Sequence, residues 1–133
     1  TGNNRTHMIR IPDQGRFELR LMDGSANPYL LQAGVMAAGL EGIDKKLNPG
    51  KPLHCNMYTD YKKYKNLPKL PNDLPQAISM LQKNKSLSSA FGKDAINSYI
   101  KLKNSEIKDF RSKNNFNKKK PITTWERNNT LDC

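Results

Sequence analysis

The residues best suited to chemistry lie near the start of the chain, in residues 16–20 (Arg-Phe-Glu-Leu-Arg). Side chains alternate between the two faces of a β-strand, so Arg16, Glu18 and Arg20 should project from one face. Guanidinium binds carboxylate and phosphate through a rigid bidentate fork. Carboxylate oxygen is a suitable ligand for Mg²⁺ or Mn²⁺, which also bind phosphate oxygens and water. The pattern predicts either a site for a metal and an anionic substrate or, as the simpler alternative, a ladder of surface ion pairs.

Arginine is concentrated around this segment. Four of the six Arg residues fall within the first twenty residues, where there is no Lys, namely Arg5, Arg10, Arg16 and Arg20. Because the chain uses Lys nearly everywhere else, this placement favours selection for the geometry of a bound anion. The nearest other acidic residues, Asp13 and Asp23, are expected in turns. Glu18 is therefore the one carboxylate that the strand offers to a metal.

The overall charge of the chain suggests a different class of function. The chain has 133 residues, which suits one domain, and a formal net charge of +11. The excess lies in residues 45–120, which carry seventeen Lys and one Arg against five acidic residues. Such a balance suggests nucleic acid, but the Lys residues are dispersed and aromatic residues do not alternate with them. A Lys-rich nucleic-acid-binding module is an alternative, although nucleic acid is not the expected partner.

Cysteine usage and hydropathy bear on the compartment. Cys55 and Cys133 are far apart and fit neither a disulfide framework nor a zinc spacing. Free thiols suit a reducing cytosol. The longest apolar stretch, residues 33–40, is too short to span a bilayer, and the sequence has no signal-peptide pattern. We therefore expect a cytoplasmic protein without membrane association.

Two segments near the start predict a β-hairpin. Residues 6–11 and 16–21 have strand-like composition, and turn residues lie between them. Phe17, Leu19 and Leu21 should pack on the face opposite the charged side chains.

Helices are predicted to follow the hairpin. Asn27 and Pro28 are typical of a helix start, so a helix is expected over residues 28–47. Its residues are apolar or small almost all round, which predicts burial on every side. Its glycines, Gly34, Gly39 and Gly42, should allow a neighbouring element to approach closely. The predicted fold class is α+β, a short antiparallel β-hairpin followed by three or more helices.

The remainder of the chain alternates between predicted loops and helices. Residues 49–71 are rich in Pro, Gly and Lys and predict an irregular loop. Apolar spacing and capping residues predict helices over residues 73–84, 86–91 and 93–113. Residues 112–120 are low in complexity and predict a mobile Lys-rich loop. The tail from 122 to 131 should close as a short helix anchored by Trp125.

Several motifs occur together in a specific order. They are residues 4–12 (Asn-Arg-Thr-His-Met-Ile-Arg-Ile-Pro), 16–20, and 23–30 (Asp-Gly-Ser-Ala-Asn-Pro-Tyr-Leu), followed by 39–43 and 48–50. This order resembles the C-terminal catalytic segment of glutamine synthetases, and residues 125–133 resemble the C-terminus of the type III branch. The resemblance implies that residues 1–133 are the C-terminal portion of a glutamine synthetase catalytic domain, without the N-terminal domain and the upstream catalytic half.

The resemblance also implies an activity and roles for individual residues. The parent would be a glutamate–ammonia ligase that makes glutamine from glutamate, ammonia and ATP through γ-glutamyl phosphate. Glu18 would be one ligand of Mg²⁺ or Mn²⁺, and the catalytic residues would be Arg20, on glutamate, and Arg5, between ATP phosphate and glutamate. Arg10 and Arg16, with Arg5, would contact ATP phosphates. Family members form homo-oligomeric rings with active sites at subunit interfaces.

The resemblance leaves some alternatives open. Related enzymes join methylamine or other amines to glutamate, so the parent could be a γ-glutamyl-amine synthetase. Tyr58 falls where some members carry an adenylylated tyrosine, although an ordinary loop aromatic is the simpler interpretation. The turn at residues 13–15 is short and lacks the Lys that contacts ATP in many members. Because one metal-ligating Glu and four Arg cannot assemble the site, the isolated chain is expected to be inactive.

Overall fold

The computed structural model describes residues 5–113 and 122–130. These residues form a two-stranded antiparallel hairpin and six α-helices with one short 3₁₀ helix. The predicted α+β class is therefore correct. The residues divide into two compact units, one made of 5–24 and 48–69 and the other of 25–47, 70–113 and 122–130. Residues 114–120 of the predicted mobile loop and residues 131–133 of the predicted C-terminal motif lie outside the described residues.

The first unit is built on the hairpin. Strand β1 comprises Ile9–Asp13 and strand β2 comprises Arg16–Leu19. A two-residue turn joins them, and its Gly15 has a φ of 74°, a left-handed conformation that glycine adopts without strain. The turn pairs Asp13 with Arg16, and a β-bulge or similar irregularity between Arg10 and Asp13 shifts the register so that Arg10 lies opposite Glu18.

The strands are shorter than predicted. Strand β1 starts three residues after Thr6, whose hydroxyl accepts a hydrogen bond from the backbone N–H of Met57 at 2.9 Å. The same hydroxyl donates to the carbonyl oxygen of Cys55 at 3.4 Å. Phe17 is 62% exposed, so the predicted packing of the apolar face is not found in this structure.

The predicted irregular loop over residues 49–71 contains two short helices. Helix α2 comprises Met57–Asp60, and a 3₁₀ helix comprises Tyr61–Lys63. The prediction of irregular structure throughout was wrong because the side chain of Asn56 caps α2 by accepting from the N–H of Tyr58 at 3.0 Å.

The second unit is helical. Helix α1 comprises Pro28–Asp44, α3 Leu74–Lys83, α4 Lys85–Phe91, α5 Lys93–Lys113 and α6 Thr124–Thr130. The capping residues predicted from the sequence function as such. Asn27 accepts hydrogen bonds from two backbone N–H groups of α1, and Asp73 accepts one from Gln76 at 2.8 Å.

The core of the second unit is small. Ile78 of α3 and Ile96 and Ile100 of α5 are its buried apolar residues among those described. Leu81, Phe91 and Ile107 pack against them while partly exposed. The apolar spacing that predicted α5 is thus confirmed at Ile96 and Ile100, in the first two turns of the helix.

Helix α1 differs most from its prediction. It ends at Asp44, and none of its residues is buried. The prediction that α1 is buried on every side is wrong for this structure. Helix α4 packs along one side of α1, and much of the remaining apolar surface of α1 is exposed. A Cβ added to Gly34 would lie 4.0 Å from the Phe91 ring, but no atom comes within 4 Å of such a Cβ at Gly39 or Gly42. Because 4.0 Å is an ordinary van der Waals separation, a contact that requires glycine is found at none of the three positions, and the prediction of close approach is wrong for this structure.

Helix α6 is fixed to α5 by the tryptophan side chain. The indole N–H of Trp125 donates to the Asp109 carboxylate at 2.6 Å, and the Trp125 ring meets that of Phe110 edge to face. The predicted anchoring role of Trp125 is confirmed. None of the helices described is long and apolar enough to cross a bilayer.

Candidate functional site

The hairpin brings one carboxylate and one guanidinium together across the two strands. Arg10 of β1 and Glu18 of β2 are directly paired in the sheet. Nη1 of Arg10 donates to both carboxylate oxygens of Glu18, at 2.9 and 2.8 Å. Because one nitrogen makes both contacts, the rest of the Arg10 guanidinium is not used by Glu18.

Two further guanidinium groups reach the same carboxylate from along β2. Arg16 Nη2 lies 3.4 Å from one oxygen of Glu18, and Arg20 Nη1 lies 3.6 Å from the other. Strand alternation places these side chains on one face, as the sequence predicted. We call Arg10, Arg16, Glu18 and Arg20 the hairpin cluster.

The hairpin cluster carries more positive than negative charge. The hydrogen bond from Arg10 is the largest cause that lowers the pKa of the Glu18 carboxyl, and the charges of Arg10, Arg16 and Arg20 lower this pKa further. Burial raises the pKa, but by less than the Arg10 hydrogen bond lowers it. Glu18 is therefore ionised at neutral pH, and three cations surround one anion. The excess suits the binding of a carboxylate or phosphate.

Accessibility differs among the three guanidinium groups. The Arg10 side chain is 12% exposed, whereas that of Arg16 is 65% exposed and that of Arg20 is 35% exposed. Arg10 is thus best placed to hold Glu18 in position. The side chains of Arg16 and Arg20 are more accessible to a ligand from solvent.

The residues described do not form a metal site by themselves. No group of three His, Cys, Asp or Glu side chains in the described part of the chain could hold a metal ion. Glu18 is one carboxylate, and its oxygens face three guanidinium groups that would repel a divalent cation. A metal would need further carboxylates to outweigh these charges.

The remaining predicted residues are not among the ion-pair partners of Glu18. Arg5 precedes β1, is exposed, and is not among the guanidinium groups around Glu18. Tyr58 is 76% exposed on α2. Sequence reasoning missed Thr6, whose hydroxyl ties the segment before β1 to residues 55–57. No spacing rule in the sequence connects positions that are 49 and 51 residues apart.

Comparison with known proteins identifies the family. The family model described as "Glutamine synthetase, catalytic domain" matches residues 1–122. The glutamine synthetase of Rhizobium meliloti is 45% identical over 132 residues, which cover 99% of this chain and 28% of that protein. The glutamate–methylamine ligase of Methyloversatilis universalis is 36% identical over 135 residues, which cover 98% of this chain and 28% of that protein.

A solved structure agrees with this result. The GmaS/ADP complex in conformation 1 matches with a TM-score of 0.77 and 43% identity over 99% of this chain and 28% of the other. The hairpin and helices therefore form a segment of the catalytic domain that the family model describes. The chain belongs to the glutamine synthetase family. It spans 28% of the length of these relatives.

Proposed function

We propose that this chain is the C-terminal portion of the catalytic domain of a glutamate–ammonia ligase. The observation that carries the proposal is the hairpin cluster, in which three guanidinium groups converge on the Glu18 carboxylate. Family membership agrees with it. The parent enzyme would transfer the γ-phosphoryl group of ATP to the side-chain carboxylate of glutamate with release of ADP. Ammonia would then displace phosphate to form glutamine and lose a proton.

The proposed roles are those that the family resemblance implies. Arg20 would bind glutamate, and Arg10 and Arg16 would neutralise ATP phosphates, because guanidinium offsets the charge of a transferred phosphoryl group. Arg5 would lie between ATP phosphate and glutamate. Glu18 would contribute one ligand to Mg²⁺ or Mn²⁺ only in company with carboxylates from outside the residues described here.

The same geometry explains why the isolated chain should be inactive. A phosphoryl-transfer site needs positive charge and metal-held phosphate oxygens in a fixed arrangement. The hairpin cluster supplies the guanidinium groups, but the described residues contain no metal-binding group of three ligands. We propose that the remaining ligands belong to the part of the catalytic domain that precedes this segment in the relatives.

The acceptor amine is the main open choice. We propose ammonia, because the Rhizobium meliloti glutamine synthetase is 45% identical and the glutamate–methylamine ligase is 36% identical. Methylamine is the second candidate, since that ligase and the GmaS/ADP complex also match nearly the whole chain. We assign the chain to the type III branch on its C-terminal motif alone, and we expect a cytoplasmic homo-oligomer as in the family.

We do not propose nucleic acid as a partner, because the Lys residues of 45–120 are dispersed along the chain and aromatic residues do not alternate with them. Lys45, Lys63, Lys103 and Lys113 each form an ion pair with an acidic side chain three or four residues away on the chain. These pairs leave the net charge unchanged, so a Lys-rich nucleic-acid-binding module stays the alternative. A salt-dependent shift of DNA at low protein concentration would favour that alternative.

The proposal can be tested by transplanting the chain. In the Rhizobium chimera, this chain replaces the matched segment of the Rhizobium meliloti glutamine synthetase. We expect ATP-dependent formation of glutamine from the chimera and none from the isolated chain. Arg10→Ala, Arg16→Ala and Arg20→Ala should each lower the rate of the chimera by about a hundredfold or more, as loss of a charge-stabilising donor does in other enzymes.

The matched control for these variants is Arg111→Ala. Arg111 is an exposed arginine like Arg16 and Arg20, and it lies in the last turn of α5. We expect this variant to keep the activity of the parent chimera. Equal loss of activity in all four variants would show that the effect is not specific to the hairpin cluster and would contradict the proposed roles.

A further inference from the structure

The segment that precedes strand β1 carries Arg5 outside the sheet. Strand β1 begins at Ile9, and the carbonyl oxygen of Met8 accepts a hydrogen bond from the backbone N–H of Arg20 at 2.9 Å. The hairpin therefore holds the chain from Met8 onward. Arg5 is exposed and lies before this contact, so the hairpin alone does not fix its position.

Thr6 attaches the same segment to a distant part of the chain. Its hydroxyl accepts a hydrogen bond from the backbone N–H of Met57 at 2.9 Å and donates to the carbonyl oxygen of Cys55 at 3.4 Å. All three residues are partly buried. Loss of the Thr6 hydroxyl would leave a partly buried N–H and a partly buried carbonyl without this partner, which costs more than the loss of an exposed hydrogen bond.

The contact with Met57 also completes the start of helix α2. The first N–H groups of a helix have no partner inside the helix. In α2, the side chain of Asn56 accepts from the N–H of Tyr58 at 3.0 Å, and Thr6 accepts from the N–H of Met57. Helix α2 has four residues, which is too short for a helix that is stable by itself. Thr6 and α2 therefore stabilise each other.

We propose that Thr6 is a positioning residue for Arg5. This inference rests on the proposed function, in which Arg5 lies between ATP phosphate and glutamate. The two residues are adjacent, so the hydrogen bonds of Thr6 restrict the backbone from which the Arg5 side chain projects. A guanidinium that offsets the charge of a transferred phosphoryl group is effective only when it is held close to that group. Thr6 would act through Arg5 and not on the substrate.

The simpler alternative is that Thr6 stabilises the first unit and has no effect on Arg5. The two views differ in how substitutions at the two positions combine. Effects of residues that act independently add, whereas a residue that acts only through another has no further effect once that other residue is removed. A double-mutant cycle between Thr6 and Arg5 therefore separates positioning from general stabilisation.

The cycle can be measured in the Rhizobium chimera. Thr6→Val keeps the shape of the side chain and removes the hydroxyl. We expect Thr6→Val to lower kcat/KM for glutamine formation about tenfold or more, because a small displacement of a positioned group is enough to slow a reaction strongly. In the Arg5→Ala background, the same substitution should change kcat/KM by less than about twofold. Thr6→Ser retains the hydroxyl and should restore most of the activity.

Thr59→Val provides the matched control. Thr59 is exposed on α2, and its hydroxyl donates to the carbonyl oxygen of Asn56 at 3.2 Å, within its own turn. This variant removes a hydroxyl from α2 that is not part of the Thr6 contacts, so kcat/KM should not change. A loss equal to that of Thr6→Val would assign the effect to α2 and overturn the inference.

Hydrogen exchange tests the contact itself in the isolated chain. The Met57 amide should exchange about threefold to tenfold faster in Thr6→Val than in the parent chain, because one hydrogen bond is lost, and Thr6→Ser should exchange like the parent. Unchanged exchange in Thr6→Val would contradict the contact and overturn the inference.

The outcomes separate this inference from the proposed function. If the chimera forms glutamine, a Thr6→Val loss that disappears in the Arg5→Ala background supports the inference. A loss that is equal in both backgrounds, or no loss, overturns the inference while the proposed function stands. If the chimera or its Arg5→Ala variant forms no measurable glutamine, the same cycle is measured on the affinity of the isolated chain for pyrophosphate by NMR titration. A loss of affinity that is absent in the Arg5→Ala background then supports the inference, and an additive loss or no loss overturns it.

Discussion

Replacement of Glu18 by glutamine should make the hairpin cluster bind anions more tightly. Glu18→Gln keeps the shape of the side chain and one carbonyl oxygen that can accept from Arg10. It removes the negative charge that three guanidinium groups now contact at 2.8, 3.4 and 3.6 Å. The cluster then changes from a net charge of two to a net charge of three. We therefore expect the affinity of the isolated chain for pyrophosphate to rise.

The expected size of the effect follows from Coulomb's law. An anion that contacts Arg16 or Arg20 would lie roughly 5 Å from the Glu18 carboxylate. At that distance and in a water-like dielectric, removal of the Glu18 charge should strengthen binding about threefold to tenfold for each negative charge on the anion. At an ionic strength of about 0.01 M the Debye length is ~30 Å, so the full effect is visible. At about 1 M salt the length is ~3 Å and the difference should shrink.

The assay is an NMR titration of the 133-residue chain with pyrophosphate at both salt concentrations. Glu106→Gln is the control, because Glu106 is as exposed as Glu18, at 34% against 32%, and pairs with Lys103 on α5. We expect Glu18→Gln to bind more tightly than the parent and Glu106→Gln to bind equally. Weaker binding by Glu18→Gln, or the same increase in both variants, would refute the view that Glu18 limits anion binding by the hairpin cluster.

Three further results are expected. Ile78→Ala should lower the free energy of unfolding, measured in urea, by about 2–4 kcal/mol because Ile78 is buried. Ile43→Ala should change the free energy of unfolding by less than about 0.5 kcal/mol because Ile43 is exposed, and equal losses in the two variants would contradict the observed core. Hydrogen bonds from Lys113 and Trp125 lower the pKa of the Asp109 carboxyl. The ionised Asp109 carboxylate therefore stabilises the fold at neutral pH, and this stabilisation is lost as the pH falls through the lowered pKa. The fluorescence of Trp125 should therefore change in a pH titration with a midpoint pH below the ordinary pKa range of a carboxyl group. A midpoint pH at or above that range would contradict the contact between Trp125 and Asp109. The isolated chain should form no glutamine from glutamate, ammonia and ATP, and measurable turnover would show that its own residues complete the site.

The helices of the second unit could be predicted well because their signals are local. Asp73 is a strong N-cap residue, and apolar residues at helical spacing follow it. Ile96 and Ile100 lie one turn apart on α5, so one face is marked for burial. The structure places these residues as the sequence indicated.

The first unit shows what local signals cannot provide. Alternation predicted that Arg16, Glu18 and Arg20 share a face. The contribution of Arg10 depends on the shift of register between Arg10 and Asp13, which the local sequence does not indicate. The start of β1 was placed too early because the Thr6 contacts come from residues far along the chain.

Helix α1 shows the same limit in a different form. Its composition correctly marks a helix, and its apolar surface predicts burial on every side. Burial depends on what surrounds the helix, and the helices of this unit contact only part of it. A sequence pattern therefore indicates the environment for which a helix is suited, whether or not the chain itself supplies that environment.

The most direct test of the account is the formation of ¹⁵N-labelled glutamine by the Rhizobium chimera. Purified chimera would be given glutamate, ATP, Mg²⁺ and ¹⁵N-labelled ammonia, with methylamine in a parallel reaction. We predict label in the side-chain amide of glutamine, formed one for one with ADP, and loss of this product in Arg20→Ala but not in Arg111→Ala. A folded, oligomeric chimera that joins neither amine to glutamate would contradict the claim that this chain is a working portion of such a catalytic domain.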